Sequence, residues 1–210
     1  MRKSVVILCA TWLASSALAA PAAAPCYTLD SDRSVLRFVA EQMGAKFEGS
    51  FRRFQAKIAF SPDDLATSRF DVIVDPTSAD TQEEQRDATL HGPDFFDVEH
   101  FKSANFVTTA FRKLEAGNFE ATGKLTLRDV TRDVKIIFSF TTRKEGGTEV
   151  GYLVGNSSLK RLDFGIGRGD YADTEAVGDD VEVKFNLRLL PAPRPPDKKI
   201  PRAPTRPEAQ

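Results

Sequence analysis

The chain has 210 residues, with 29 Lys and Arg against 30 Asp and Glu and a formal net charge of −1. A balance this close to neutral gives no general attraction for phosphate backbones or anionic membranes, so no nucleic-acid partner is expected. Of the two cysteines, Cys9 lies in an N-terminal leader, which leaves Cys26 without a partner for an internal disulfide.

The leader is the first element. Arg2 and Lys3 make a short basic start, residues 5–13 are apolar, and Ala17-Leu18-Ala19 supplies the small residues of a signal-peptidase site. Cleavage after Ala19 is expected, with an exported mature chain from Ala20. The apolar run is far shorter than the roughly 20 residues that span a bilayer as a helix, and no stable membrane span is expected. Trp12 goes with the leader. Pro25 stands before Cys26, where lipid attachment would want a small residue, so lipidation of Cys26 is the weaker reading.

Beyond the leader the chain reads in period two, the spacing of a strand with one wet face. Short matches occur at Leu36-Phe38-Ala40, Phe47-Gly49-Phe51, Ala56-Ile58-Phe60 and Phe70-Val72-Val74, with a weaker one at Ala104-Phe106-Thr108. Longer matches follow. Phe119, Ala121, Gly123, Leu125 and Leu127 alternate with polar residues, as do Val134, Ile136, Phe138 and Phe140, and then Val181, Val183, Phe185, Leu187 and Leu189. Residues 150–159 also read as extended. Ser61-Pro62-Asp63-Asp64, Glu115-Ala116-Gly117-Asn118 and Glu145-Gly146-Gly147 are turn sequences short enough for hairpins, so sequence neighbours should be antiparallel neighbours.

One helix is predicted, over residues 81–90. From Pro191 the chain is rich in proline and charge, and residues 191–210 are expected to form a disordered tail. The expected organisation is therefore a leader over 1–19, one domain over 20–190 and the tail. The fold class is all-β: about eight antiparallel strands, closed on themselves or stacked as a sandwich, with one short helix.

Catalytic motifs are scarce. There is no Gly-x-Ser-x-Gly elbow and no Walker sequence, and the Gly165-Ile166-Gly167-Arg168-Gly169 stretch reads as a loop because no helix follows it. The sequon Asn156-Ser157-Ser158 falls in a strand-like run. His91 and His100 flank Asp94, Asp97 and Glu99, but the spacing matches no compact ligand motif, and no metal or cofactor is expected. What the chain has in excess is phenylalanine, 16 residues against 3 Tyr. Phe supplies apolar area without a polar atom. An eight-stranded barrel is just wide enough to be filled by side chains or to hold one small ligand, and composition does not choose between these.

Several strings resemble the YceI-like family. They are Thr81-x4-Arg86-Asp87-x2-Leu90, then Asp94-Phe95-Phe96-Asp97 with Ala104-x-Phe106, then residues 123–132 against a Gly-x-Leu-Thr-Leu-x-Gly-Val-Thr hairpin, and Asp163-Phe164-Gly165. Tyr27-Thr28-Leu29-Asp30 and Ser34-x-Leu36-x-Phe38 also fit, so the resemblance runs from Tyr27 to about Leu190. Two departures stand out: Asp129 replaces a usual hairpin glycine, and His100-Phe101-Lys102 replaces a common Tyr-Pro pair.

The resemblance implies a lipocalin-like barrel in the periplasm that is not an enzyme and holds a polyisoprenoid, an isoprenoid quinone-like lipid or a similar amphiphile in an apolar lumen. A homodimer is compatible with it. The alternative is a barrel module that binds a protein partner or a small amphiphile such as a fatty acid or amide. The candidate lumen residues on the apolar strand faces are Leu36, Phe38, Phe47, Phe51, Val72, Val74, Phe106, Leu125, Leu127, Ile136, Phe138, Val183, Phe185 and Leu187. Arg86 and Asp87 are candidates for a head group at the barrel mouth, or for a structural salt bridge at the helix.

Overall fold

Six of the eleven strand pairings among the described residues join strands consecutive in sequence, because hairpin turns fall between the alternating segments. The computed structural model describes residues 23–193; the leader, and the tail from residue 194 on, lie outside the described residues. The strands are β1 (Cys26–Leu29), β2 (Val35–Gln42), β3 (Ala45–Phe51), β4 (Phe54–Ala59), β5 (Arg69–Val74), β6 (Ala79–Asp80), β7 (Ala104–Lys113), β8 (Asn118–Leu127), β9 (Val130–Glu145), β10 (Thr148–Lys160) and β11 (Asp180–Pro191). All their pairings are antiparallel.

Eight of them, β1, β4, β5, β7, β8, β9, β10 and β11, close into a ring, as the β1–β11 pairing joins its ends. The expected eight-stranded antiparallel barrel is therefore the observed fold. The remaining three strands extend walls already in the ring. β11 pairs with β1 through Leu189–Pro191 and with β2 through Glu182–Asn186, so β1 and β2 lie end to end along it. β3 and β4 are likewise consecutive and are broken at Arg52-Arg53, whose N–H groups donate to the Ser78 carbonyl and the Ser78 hydroxyl. β5 and β6 are separated by a short turn at Pro76–Ser78, which the Asp75 carboxylate holds by accepting from the Thr77 N–H at 2.9 Å.

These breaks divide the barrel along its axis. At the end that holds β1, Phe60 is fully buried and meets the rings of Phe70, Phe111, Phe119, Phe138 and Phe140 at centroid distances of 5.0–6.0 Å. Tyr27, Ile58, Ala121, Leu153, Leu187 and Leu189 pack into the same cluster. Edge-to-face geometry dominates it, as the ring quadrupoles favour. This is a filled floor.

The other end is covered by chain rather than closed by strands. Here β6 pairs with β3 and then turns into α1 (Glu84–His91), which leads to the loop over residues 92–103. The helix begins three residues after the predicted start. Gln82 has a positive φ of 61°, and Glu83 acts as the cap, its carboxylate accepting from the N–H groups of Gln85 at 2.9 Å and Arg86 at 2.8 Å.

The 161–179 segment forms the second part of the cover, and the two parts are joined where the Gly167 and Arg168 N–H groups donate to the Asp94 carbonyl at 2.7 and 3.1 Å. At the floor end β11 runs through Pro191, and Ala192 N–H donates to the Cys26 carbonyl, so the last strand outruns the expected boundary at 190. Among the described residues no helix is long and apolar enough to cross a membrane.

Candidate functional site

Between floor and cover lies a cavity of about 240 Å³. At the roughly 30 Å³ that one water-sized group takes in a liquid, it has room for on the order of eight to ten methylene-sized groups. Its walls follow directly from strand alternation. Leu36 and Phe38 face it from β2, Phe47 and Phe51 from β3, Val72 and Val74 from β5, Phe106 from β7, and Leu125 and Leu127 from β8. Ile136 faces it from β9, and Val183, Phe185 and Leu187 from β11. Thirteen of the fourteen apolar candidates thus surround one space. Phe138 faces inward as expected but sits lower, in the aromatic floor, where it is 1% exposed.

Arg86 and Asp87 are not on the cavity wall. Both hold Thr81, the residue that turns the chain from β6 into α1. Asp87 Oδ1 accepts from the Thr81 N–H at 2.8 Å and from its hydroxyl at 2.6 Å, while Arg86 Nε donates to the same hydroxyl at 2.9 Å. The Arg86 guanidinium also lies 4.4 Å from the centroid of the Phe47 ring. The two residues brace the base of the cover through Thr81 rather than through a salt bridge with each other.

The cover contributes lining that alternation could not supply. Leu90, Phe95, Phe96, Phe164 and Ile166 all line the cavity, and the first, second, fourth and fifth join Phe38 and Val134 in a second buried cluster. None lies on a strand. The clue in the sequence was the presence of paired aromatics in an otherwise polar interruption, Phe95-Phe96.

Two polar residues are on the wall, and both are already satisfied. Ser157 Oγ donates to the Lys135 carbonyl at 2.7 Å. Arg161, 5% exposed, donates from Nε to the Gly178 carbonyl at 3.0 Å, from Nη1 to those of Ile166 and Gly167 at 2.9 and 3.1 Å, and from Nη2 to that of Val177 at 2.6 Å. Burial pushes its pKa below the ordinary arginine range, with the Asp179 charge acting against this. Arg161 therefore knots the 161–179 segment together through its backbone.

Arg128 fastens the cover to the barrel. It occupies the β8–β9 hairpin with φ 56°, so the left-handed position falls on Arg128 and not on Asp129, where the family pattern has glycine. Such a conformation costs on the order of 1 kcal/mol or more for a residue with a side chain. The side chain is 7% exposed; its Nη1 donates to the Phe95 carbonyl at 2.6 Å and the Pro93 carbonyl at 3.0 Å, and Nη2 lies 3.7 Å from Asp97 Oδ2.

Asp97 also holds His100, with Nδ1 2.7 Å from Oδ1, and this hydrogen bond, together with the Asp97 charge, raises the His100 pKa. His91 ends α1, and its carbonyl accepts from the Val98 N–H at 3.1 Å. Among the described residues, no three or more His, Cys, Asp and Glu side chains gather in a group that could hold a metal.

A model of the YceI-like domain matches residues 27–189. The chain belongs to the YceI-like family. A UPF0312 protein of Vibrio vulnificus is 31% identical over 186 residues, covering 83% of this chain and 96% of the relative. One from Vibrio parahaemolyticus is 32% identical over 185 residues with the same coverage. The crystal structure of Burkholderia cenocepacia BcnA superposes with a TM-score of 0.70 at 28% identity, covering 76% of this YceI-like chain and 98% of BcnA. A domain from Saccharophagus degradans, described as polyisoprenoid-binding and implicated in plant cell wall breakdown, superposes with a TM-score of 0.60 at 15% identity, covering 79% and 98%. At that identity the likeness is one of fold.

Proposed function

We propose that this YceI-like protein is exported to the periplasm through its leader and there binds and carries a long apolar lipid, of the polyisoprenoid or isoprenoid quinone kind, inside the barrel. The observation that carries this reading is the cavity itself: it is walled by apolar side chains from every strand of the ring except β1, and its two polar wall residues spend their donors on backbone carbonyls. Such a wall offers dispersion contact and no unmet hydrogen bond, so it suits a hydrocarbon chain and penalises a polar body. Each buried methylene-sized group contributes about 0.8 kcal/mol. About ten of them supply about 8 kcal/mol, above the lower end of the 4–15 kcal/mol range estimated for association, so affinity grows with each further group the lumen takes in. The description of the Saccharophagus domain supports the same ligand class. Nothing in this arrangement supplies a nucleophile, a positioned acid–base pair or an oxyanion site facing the lumen, so binding without chemistry is the function it suits.

The test is mass spectrometry of organic extracts from protein purified out of its own periplasm, followed by uptake of added isoprenoid by lipid-stripped protein. A copurified isoprenoid and saturable uptake are expected. An extract free of lipid, with no uptake, overturns the reading; a fatty acid or amide in its place favours the small-amphiphile alternative.

A further inference from the structure

At three places in the lumen wall a phenylalanine ring occupies the room that a neighbouring strand's side chain would take. The neighbour in each case is glycine. Phe38 of β2 stands opposite Gly49 of β3, and a Cβ on Gly49 would meet the ring tip, with both Cε atoms within 2.9 Å. Phe106 of β7 leans over Gly123 of β8, where a Cβ would come within 2.6 Å of Cε2 and Cζ. Phe185 of β11 stands opposite Gly155 of β10, with Cζ 2.6 Å from the corresponding position. Real Cβ atoms do not approach this closely, so any larger residue at these positions must push a ring. All three rings line the cavity.

We propose that Gly49, Gly123 and Gly155 set the girth of the lumen by letting three rings recede into the wall, and that this girth fits a methyl-branched chain better than a straight one. The inference rests on the lipid-binding reading above. A straight chain in a bore of branched girth leaves gaps along its length, and each gap forfeits dispersion contact. A narrower bore reverses the preference, because methyl branches then meet the rings while the straight chain still fits.

Gly49 is the position to test. Its Cβ would meet ring atoms alone, whereas at Gly123 and Gly155 it would also strike the carbonyl oxygens of Val107 and Ile137. Phe38 is flanked by the rings of Phe47 at 6.3 Å and Phe51 at 5.3 Å, which leaves the lumen as its open side. Lipid-stripped wild type and Gly49→Ala would be titrated with dihydrophytol and hexadecan-1-ol, saturated alcohols of equal main-chain length that differ in methyl branches, and read by native mass spectrometry.

The wild type should prefer dihydrophytol, and Gly49→Ala should lose about tenfold or more in affinity for it while changing by less than about threefold for hexadecan-1-ol. Equal losses for both alcohols, or none, overturn the girth assignment and leave the lipid-binding reading standing. If the wild type binds neither alcohol, the underlying reading fails instead. Should Gly49→Ala unfold, Phe38→Leu with Gly49→Ala decides the matter, since the shorter side chain leaves room for the added methyl. Wild-type preference in that double variant supports the proposal, and discrimination against dihydrophytol despite the shorter side chain overturns it.

Discussion

The two ends of the barrel are built from the same residue type and do opposite things with it. At the floor, phenylalanines from successive strands point at one another, and Phe60 is enclosed by five other rings. Toward the cover, Phe38, Phe106 and Phe185 lie back against glycines and leave a hollow. Phenylalanine content sets how much apolar surface a barrel owns, while the partner opposite each ring decides whether that surface becomes core or binding wall.

The largest effect that would sharpen this contrast comes from truncating one ring at each end. Phe60→Ala should cost about 3–5 kcal/mol, as expected for a fully enclosed ring. Phe106→Ala, on a half-buried ring beside existing space, should cost about half of that or less, because little new cavity forms. Urea unfolding of both variants measures the two values, and equal losses would remove the distinction between filled and hollow ends.

Next in size is the clamp on the cover. Arg128→Ala should destabilise the protein by about 1–3 kcal/mol through the unpaired carbonyls of Pro93 and Phe95. Hydrogen exchange should quicken across residues 93–101 while amides of the floor strands keep their protection. A uniform loss of protection would mean that the cover and floor unfold as one unit.

The two ends should also answer to different pH ranges. At the floor end, Glu145 accepts from the Tyr152 hydroxyl and from Arg188, and these contacts hold its carboxyl below the usual range. A depressed carboxylate stabilises the fold above its unfolded pKa, and this contribution is lost as pH falls through the folded value. Glu145→Gln should therefore flatten the acid limb of stability, measured as the urea midpoint from neutral pH downward.

At the cover, the raised His100 pKa has the opposite sign: its contribution is complete below the unfolded pKa and disappears as pH rises through the folded one. His100→Gln should remove a small alkaline-side decline, the weakest effect expected because the pair is exposed.

Much of the wall was legible because period two reports which face a residue presents. It does not report depth along the barrel axis, which is why Ile136 lines the lumen and Phe138, two residues on with the same facing, belongs to the floor. The strands β1 and β6, four and two residues long, are too short to show a period and are defined by their partners β11, β4 and β3. The cover residues Phe164 and Ile166 escaped for another reason. They reach the lumen through a turn that Arg161 ties together, and side-chain hydrogen bonds to backbone carbonyls leave no periodic trace in sequence. The family strings located that segment but not its role.

The chain enters and leaves the barrel at the same end. Pro25 accepts from the Phe60 N–H, and Ala192 N–H donates to the Cys26 carbonyl, so both flanks of the domain depart beside the floor. A support joined to either flank would hold the molecule with its cover outward and unobstructed. Immobilised through one terminus or the other, the protein should therefore exchange ligand with solution or with vesicles equally well.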